Sequence, residues 1–355
     1  MNKTIGRYQV SKRNSSIELL RIFAASAVIV LHFNFLPSGG GAIDNVYGIT
    51  RETLYILEAL CCCAVNVFIL ISGYFNVNSY NINFSRLFKL GIQTSLFSFI
   101  WYVIVNLKSG GVFHVKSALG ALLPVNYYVI LYITVMIIAP FINILVNKLT
   151  DKGLIILGAT VFLLFSVYPT MIDILEELTN HSYSGLSSIG TSGSGGGYTI
   201  VNFTLVYILG ALLRKLDISN RINKKYVCIG IIMSIIIIYL WRKTLTGTAY
   251  NYCNPFVIIE AVFVLIFFLQ IEFENRLINQ VSSASFTCYL IQGYLLQKIN
   301  FSEIGKLSFV RVVLSLLATI VAIYLCSIII TMIWNLVAGH IFKITVDKIE
   351  RFKIG

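Results

Sequence analysis

Apolar residues run through this chain in blocks, each long enough to cross a hydrocarbon layer about 30 Å thick, with short polar stretches between them. The blocks lie at about 17–36, 54–75, 90–107, 127–147, 153–170, 199–213, 226–241, 255–271, 281–297 and 309–335. Inside a bilayer no water is at hand for backbone N–H and C=O groups, and a helix satisfies them within one segment. The pattern therefore predicts an all-α, polytopic integral membrane protein with about ten transmembrane helices. No soluble domain interrupts the alternation and no internal repeat is visible. The organisation reads as one transmembrane domain over 17–340 with tails at 1–16 and 341–355. The first block ends in HFNFLP without a small-residue cleavage site, so it is expected to be a retained helix rather than a signal peptide.

Composition agrees: 57% of the 355 residues are hydrophobic and 12% charged, too few charges to cover a soluble surface. The net charge of +12 has a topological origin. One set of segments holds Lys3, Arg7, Lys12, Arg13, Arg86, Lys89, Lys148, Lys152, Arg214, Lys215, Arg221, Lys224, Lys225, Arg276, Lys343, Lys348, Arg351 and Lys353, eighteen cations. The opposite set holds Arg51, Lys108, Lys116, Arg242, Lys243, Lys298, Lys306 and Arg311, which is eight. Lys and Arg accumulate in cytoplasmic loops, so both termini are expected in the cytoplasm of a multi-pass cell-membrane protein. Anionic membrane lipids are natural partners of such a charge. Nucleic acid is not, since no basic and aromatic soluble module is present.

Residues 171–198 stand apart. They contain Asp173, Glu176 and Glu177, no Lys or Arg, and a Ser/Gly run with little apolar surface to bury, which predicts a flexible external loop. The seven cysteines fall mostly within apolar blocks and read as small buried hydrophobes. Three of them, Cys61 to Cys63, are successive and would point about 100° apart on a helix, so they cannot converge on one metal.

Against this apolar background a few polar residues are costly and therefore informative. Arg21 and His32 lie eleven residues apart in the first block, about three helical turns, so both fall on one face roughly 16 Å apart along the axis. Glu18 precedes Arg21 by three positions and can pair with it. His32 is the one histidine inside a block, and its ordinary pKa of about 6.5 suits a general base. Glu260 is the one carboxylate well inside a late block, a candidate for cavity lining or for tuning His32. Ser72 closes the second block beside Gly73, which permits close helix approach. Tyr127, Tyr128 and Tyr132 offer either stacking surfaces and hydroxyls to a sugar or an interfacial aromatic belt. No metal-ligand cluster, paired catalytic carboxylates or Ser-His-Asp arrangement emerges.

The stretch IELLRIFAASAVIVLH (residues 17–32) has Arg, ten intervening residues and His. VNVFILISGYF (65–75) ends in Ser-Gly-Tyr-Phe, and FSRLFKL (84–90) comes next. Together these resemble the membrane acyltransferase family 3. The resemblance continues through YYVILYITVMIIAPFIN (127–143), YILGALLRK (207–215) and CYLIQGYLL (288–296), nearly the whole chain. It implies transfer of an acyl group, usually acetyl from cytoplasmic acetyl-CoA, to a hydroxyl of a cell-surface polysaccharide such as an exopolysaccharide, or of a lipid-linked glycan precursor. Arg86 and Lys89 match the family's basic position after the second helix, though many members have a denser Arg-rich run there, and would hold the donor's phosphates. Gln292 stands where relatives often carry His. The implied partners are acetyl-CoA as a substrate rather than a tightly bound cofactor, a glycan acceptor and polysaccharide-assembly proteins, with no metal.

In that reading Arg21 lines the donor route. His32 either deprotonates the acceptor hydroxyl or carries the acetyl group transiently. Two other classes remain open on the sequence. One is a secondary transporter or glycan exporter using Arg21, His32 and Glu260 as a relay, with Pro140 as a helix break; the other is an inert assembly subunit.

The charge count generates a topology test. Single cysteines introduced into a cysteine-free background should be labelled by an impermeant maleimide on intact cells near residue 190 and not near residue 220. The reverse pattern overturns the orientation.

Overall fold

The computed structural model describes residues 14–36, 38–109, 114–124, 126–191, 193–245, 247–345 and 352–353. Lys3, Arg7, Lys12 and Arg13 of the N-terminal tail, and Lys348 and Arg351 of the C-terminal tail, lie outside the described residues. Each apolar block forms helix: α1 (Ser15–Asn34), α2 (Gly48–Cys61) leading into α3 (Ala64–Asn76), α4 (Phe84–Ser109), α5 (Tyr127–Lys148), α6 (Asp151–Phe162) passing through a π-turn at Leu163–Val167 into α7 (Tyr168–Thr179), α8 (Ile200–Lys215), α9 (Lys224–Thr244), α10 (Pro255–Leu269), α11 (Arg276–Ser282), α12 (Ser285–Leu296) and α13 (Phe309–Thr345). Among the described residues seven helical stretches are long and apolar enough to cross a membrane: α1, α2–α3, α4, α5, α6–α7, α9 and α13. The other three blocks form helices of 16, 15 and 12 residues, α8, α10 and α12. The polar run VSSAS explains the shortest, because a turn at Ser283–Ala284 separates α11 from α12.

Side-chain caps fix many helix starts. Asn14, Asn126, Thr150, Thr199, Asn223, Asn254 and Asn275 each accept a backbone N–H from the first turn of the adjoining helix. Pro140 sits inside α5, which runs unbroken past it, so the helix break expected there does not form. The 171–198 segment also differs from expectation. Its first nine residues continue α7, which ends on Asn180 in the left-handed conformation that Asn tolerates. Beyond Asn180 the chain is tied down: Asp173 accepts from the backbone N–H and the hydroxyl of Ser194, Glu176 accepts from the Tyr183 N–H, and Glu177 accepts from the Gly247 N–H. The acidic residues that suggested a solvated loop are its internal anchors.

Loop contacts sort the connections into two ends. The Ser15 N–H donates to Phe273 O and its hydroxyl to Asn279. Gln270 donates to Ser219 O and Ile222 O, Lys215 to Asn147, and Asn147 to Val77 O. A two-residue antiparallel pairing joins Asn81–Ile82 to Phe352–Lys353. The segments that carry the larger set of cations thus meet at one end of the bundle. At the other end Lys243 reaches Glu52 at 2.5 Å.

The interior is formed by α1, α3, α8, α10 and α12, while α4, α9 and α13 lie outside. Leu314, Leu317, Val321, Leu325, Ile329, Met332 and Leu336 are all exposed on α13, a lipid-facing stripe rather than an unfilled core. The tightest crossing is α3 on α8. A Cβ on Gly73 would collide with the carbonyl oxygen of Tyr207, and one on Gly210 with that of Leu70, so the two glycines let the backbones touch. Gly210→Ala should therefore destabilise the protein by about 1–3 kcal/mol through overpacking. Gly91→Ala, where nothing lies within 4 Å, should not. Thermal unfolding in detergent checks both, and equal melting temperatures would refute the close-packing account.

Candidate active site

The first helix carries the site's electrostatic core. Glu18 is buried, and its carboxylate accepts from Arg21 Nη1 at 2.7 Å and, on its other oxygen, from Ser282 Oγ at 2.5 Å. The i,i+3 spacing places the pair on one helix face, as expected, and α11 supplies the second partner. Both carboxylate oxygens are satisfied, which burial of such a group demands. Arg21 keeps a third of its side chain exposed, toward a cavity of about 640 Å³.

That cavity gathers seven of the eleven residues singled out from the sequence: Glu18, Arg21, Ser72, Arg86, Lys89, Tyr128 and Tyr132. Arg86 and Lys89 come from the first turns of α4, where Asn83 caps the helix by accepting the Arg86 N–H at 3.0 Å. The Arg86 guanidinium is exposed and makes no hydrogen bond or ion pair among the described residues. Ser72 turns its hydroxyl back to Phe68 O at 3.0 Å, so it lines the wall with its donor already engaged. Tyr128 packs on Tyr132, Tyr289 and Phe68 with ring centroids 6.0, 5.0 and 6.2 Å away. The result is a chamber with cations on one side and an aromatic wall on the other.

The remaining four sit elsewhere. Tyr127 stacks edge-on against Tyr198, 4.8 Å between centroids, and does not line the chamber. Glu260 is fully buried in α10 with Cys62 as its hydrogen-bond partner at 3.9 Å, not beside Arg21 and not hydrogen-bonded to His32. His32 lies beyond the chamber along α1, half-buried, with Gln292 Nε2 at 2.5 Å from its Nδ1. Gln292 is thus the neighbour of His32 rather than a wall of the chamber. Helices α1 and α12 run side by side, and α11–α12 meets α1 at both ends, through Ser282 on Glu18 and Gln292 on His32.

Sequence reasoning missed Tyr289, Gln93 and Ser282, all of which line the chamber. Tyr289 precedes Gln292 by three positions, one helical turn, and that spacing was the available signal. Ser282 lies in the polar VSSAS run at the start of the 281–297 block. Glu58, buried and accepting from Asn34 Nδ2 at 2.8 Å, was also unremarked.

All seven cysteines are free thiols; five are buried, Cys228 is intermediate and Cys326 exposed. Cys253, just before α10, has its thiol pushed up to about 11 by burial, which disqualifies it as a thiolate nucleophile. Among the described residues no group of three or more His, Cys, Asp or Glu side chains is placed to hold a metal ion.

In comparison with known proteins, the family model described as an acyltransferase domain, acyltransferase family 3, matches residues 14–334. No curated protein and no solved structure matches. The matched span contains the chamber, the Glu18–Arg21 pair and the His32–Gln292 contact.

Proposed function

The chain belongs to the membrane acyltransferases of family 3, and from that premise we propose that it is an O-acetyltransferase. Its acetyl group comes from cytoplasmic acetyl-CoA and goes to a hydroxyl of a cell-surface polysaccharide or its lipid-linked precursor. The single observation that carries this reading is the layout of the site: three cations, Arg21, Arg86 and Lys89, cluster at one end, and the imidazole of His32 sits further along the helix that carries Arg21. Arg21 and His32 are about 16 Å apart along the axis. An elongated donor with anionic phosphates at one end and a thioester at the other suits that separation. Arg86 and Lys89 hold the phosphates, the exposed face of Arg21 lines the route, and the carbonyl carbon reaches the His32 end.

A sugar hydroxyl is a weak nucleophile until its proton has somewhere to go. In direct transfer His32 takes that proton as the hydroxyl oxygen bonds to the carbonyl carbon. The C–S bond then breaks, and CoA leaves as a thiolate that is protonated by the imidazolium. If His32 carries the acetyl group instead, its ring nitrogen first displaces CoA and the sugar hydroxyl then displaces the imidazole. Tyr128 and Tyr132 give a sugar an aromatic surface to stack on.

Purified protein incubated with acetyl-CoA and candidate glycans should release free CoA-SH only when an acceptor is present. His32→Ala should lower turnover by about 10² to 10⁴-fold, the usual contribution of positioned acid–base catalysis, while acetyl-CoA binding is retained. Turnover above about a tenth of wild type would remove the base role.

Arg86→Ala should weaken acetyl-CoA binding by about 1.5 to 3 kcal/mol, the worth of one charge-assisted hydrogen bond. Arg86→Lys should restore only part, because a point charge replaces a two-pronged donor. Calorimetric titration of both variants checks this, and unchanged affinity would reduce Arg86 to a topological cation.

A further inference from the structure

A path of changing polarity leads from the lipid-facing rim into the chamber. Helix α4 lies at the edge of the bundle, most of its apolar stretch facing outward while Gln93 bonds Thr287 and Trp101 stacks on Tyr294. Between it and α5 lies a groove of about 600 Å³, walled by Leu87, Phe88 and Ile92 on one side and Ile133 and Ile137 on the other. Gly91 faces this groove with nothing within 4 Å of where a side chain would begin. Leu87 also lines a second, smaller cavity of about 150 Å³, whose walls include Asn76, Ser79, Asn81 and Asn83. Arg86 and Tyr132 line both that small cavity and the main chamber. The groove, lined by hydrocarbon, thus adjoins a neck of amide and hydroxyl groups through Leu87, and that neck adjoins the chamber of cations and tyrosines through Arg86 and Tyr132.

We propose that the groove between α4 and α5 is the lateral entry for a lipid-linked glycan acceptor, whose hydrocarbon chain stays in the groove while its polar head passes the asparagine-lined neck into the chamber. The inference rests on the O-acetyltransferase reading and selects the acceptor class within it. A water-soluble polysaccharide has no use for an apolar groove joined to its binding chamber, and a bulk phospholipid has no use for the chamber. An amphiphile with a long chain, an anionic linker and a sugar uses all three parts. Its linker comes to lie in the neck, whose walls carry Asn76, Ser79, Asn81 and Asn83 as polar neighbours for a phosphate, while Arg86 stays with the donor. Its chain fills the notch at Gly91, where the missing side chain lets it approach the α4 backbone.

The test uses the full-length protein in vesicles with two matched acceptors, a hexose oligomer on polyprenyl diphosphate and the same oligomer without the chain. Wild type should acetylate the lipid-linked form with kcat/KM at least about tenfold higher, a difference equivalent to about 1.4 kcal/mol. Gly91→Phe and Ile137→Trp, which fill the groove, should raise KM for the lipid-linked acceptor about tenfold and leave acetyl-CoA affinity and transfer to the chain-free oligomer unchanged. Equal use of the two acceptors by wild type, or an unaltered KM in both variants, overturns the proposal.

A binding measurement separates this failure from failure of the acetyltransferase reading. A polyprenyl-diphosphate hexose with a diazirine in its chain should cross-link to peptides of α4 and α5, displaced by the unlabelled compound and not by phosphatidylglycerol. Such labelling without acetyl transfer to either acceptor keeps the groove and discards the enzymatic reading. Labelling displaced equally by phosphatidylglycerol overturns the groove as an acceptor site.

Discussion

A carboxylate held inside a membrane helix has to be matched, and the match at Glu18 organises this molecule. Leaving one charge uncompensated in such a setting costs several kcal/mol, far more than a surface ion pair contributes. Glu18 meets the demand with two donors, Arg21 one turn along its own helix and Ser282 from 264 residues away. The local donor is set by spacing alone. The distant one requires α11 to lie against α1 at that height, which in turn places α12 alongside and brings Gln292 to His32. The pairing also leaves Arg21 with donors to spare, since a guanidinium has five N–H groups and one carboxylate oxygen takes few of them. The remainder face the chamber. A group that neutralises a buried charge thus doubles as the chamber's fixed cation.

Around this core the packing is uneven. Gly73 and Gly210 bring α3 and α8 to backbone contact, and Tyr207 of α8, fully buried, donates to Asn143 of α5 at 3.1 Å. Asn143 in turn donates to Asn76 O and Ser79 O, holding the end of α3 and the turn that leads to α4. Arg86 and Lys89 therefore project from the first turns of a helix whose start is anchored and whose body meets α12 and α13 through Gln93, Phe97, Ser98 and Trp101.

The sequence revealed what depends on spacing and concealed what depends on partners. The Glu18–Arg21 pair, the contact role of Gly73 and the apolar blocks all arise from local period, and the structure has them. The Ser282–Glu18 and His32–Gln292 contacts join residues some 260 positions apart and Tyr289 meets Asn126 across 163, and no single-chain pattern encodes such meetings. Helix continuity was half legible. Pro140 suggested a break, yet α5 continues through it, while the turn at Ser283–Ala284 split a block whose mean apolarity hid it. At 171–198 composition misled, because Asp173, Glu176 and Glu177 cap and clasp a defined chain path instead of solvating a free one.

The same placement bears on why a fixed enzyme accounts for the polar residues better than a relay. A proton or anion relay requires its titratable members to hand charge to one another over hydrogen-bond distances, along a path that opens to both sides. Here Glu260 is enclosed with Cys62, Arg21 is committed to Glu18, and His32 is paired with Gln292, which accepts and donates but does not titrate. Among the described residues no hydrogen bond joins any two of Arg21, His32 and Glu260. The helix that was expected to break for alternating access runs through Pro140 intact. What the arrangement does provide is His32 on the same helix as Arg21, α11–α12 fastened to that helix at both ends, and Arg86 and Lys89 lining the chamber from α4. Group transfer between two bound substrates uses that placement directly, because it needs the donor's carbonyl and the acceptor's hydroxyl held together beside one acceptor of a proton.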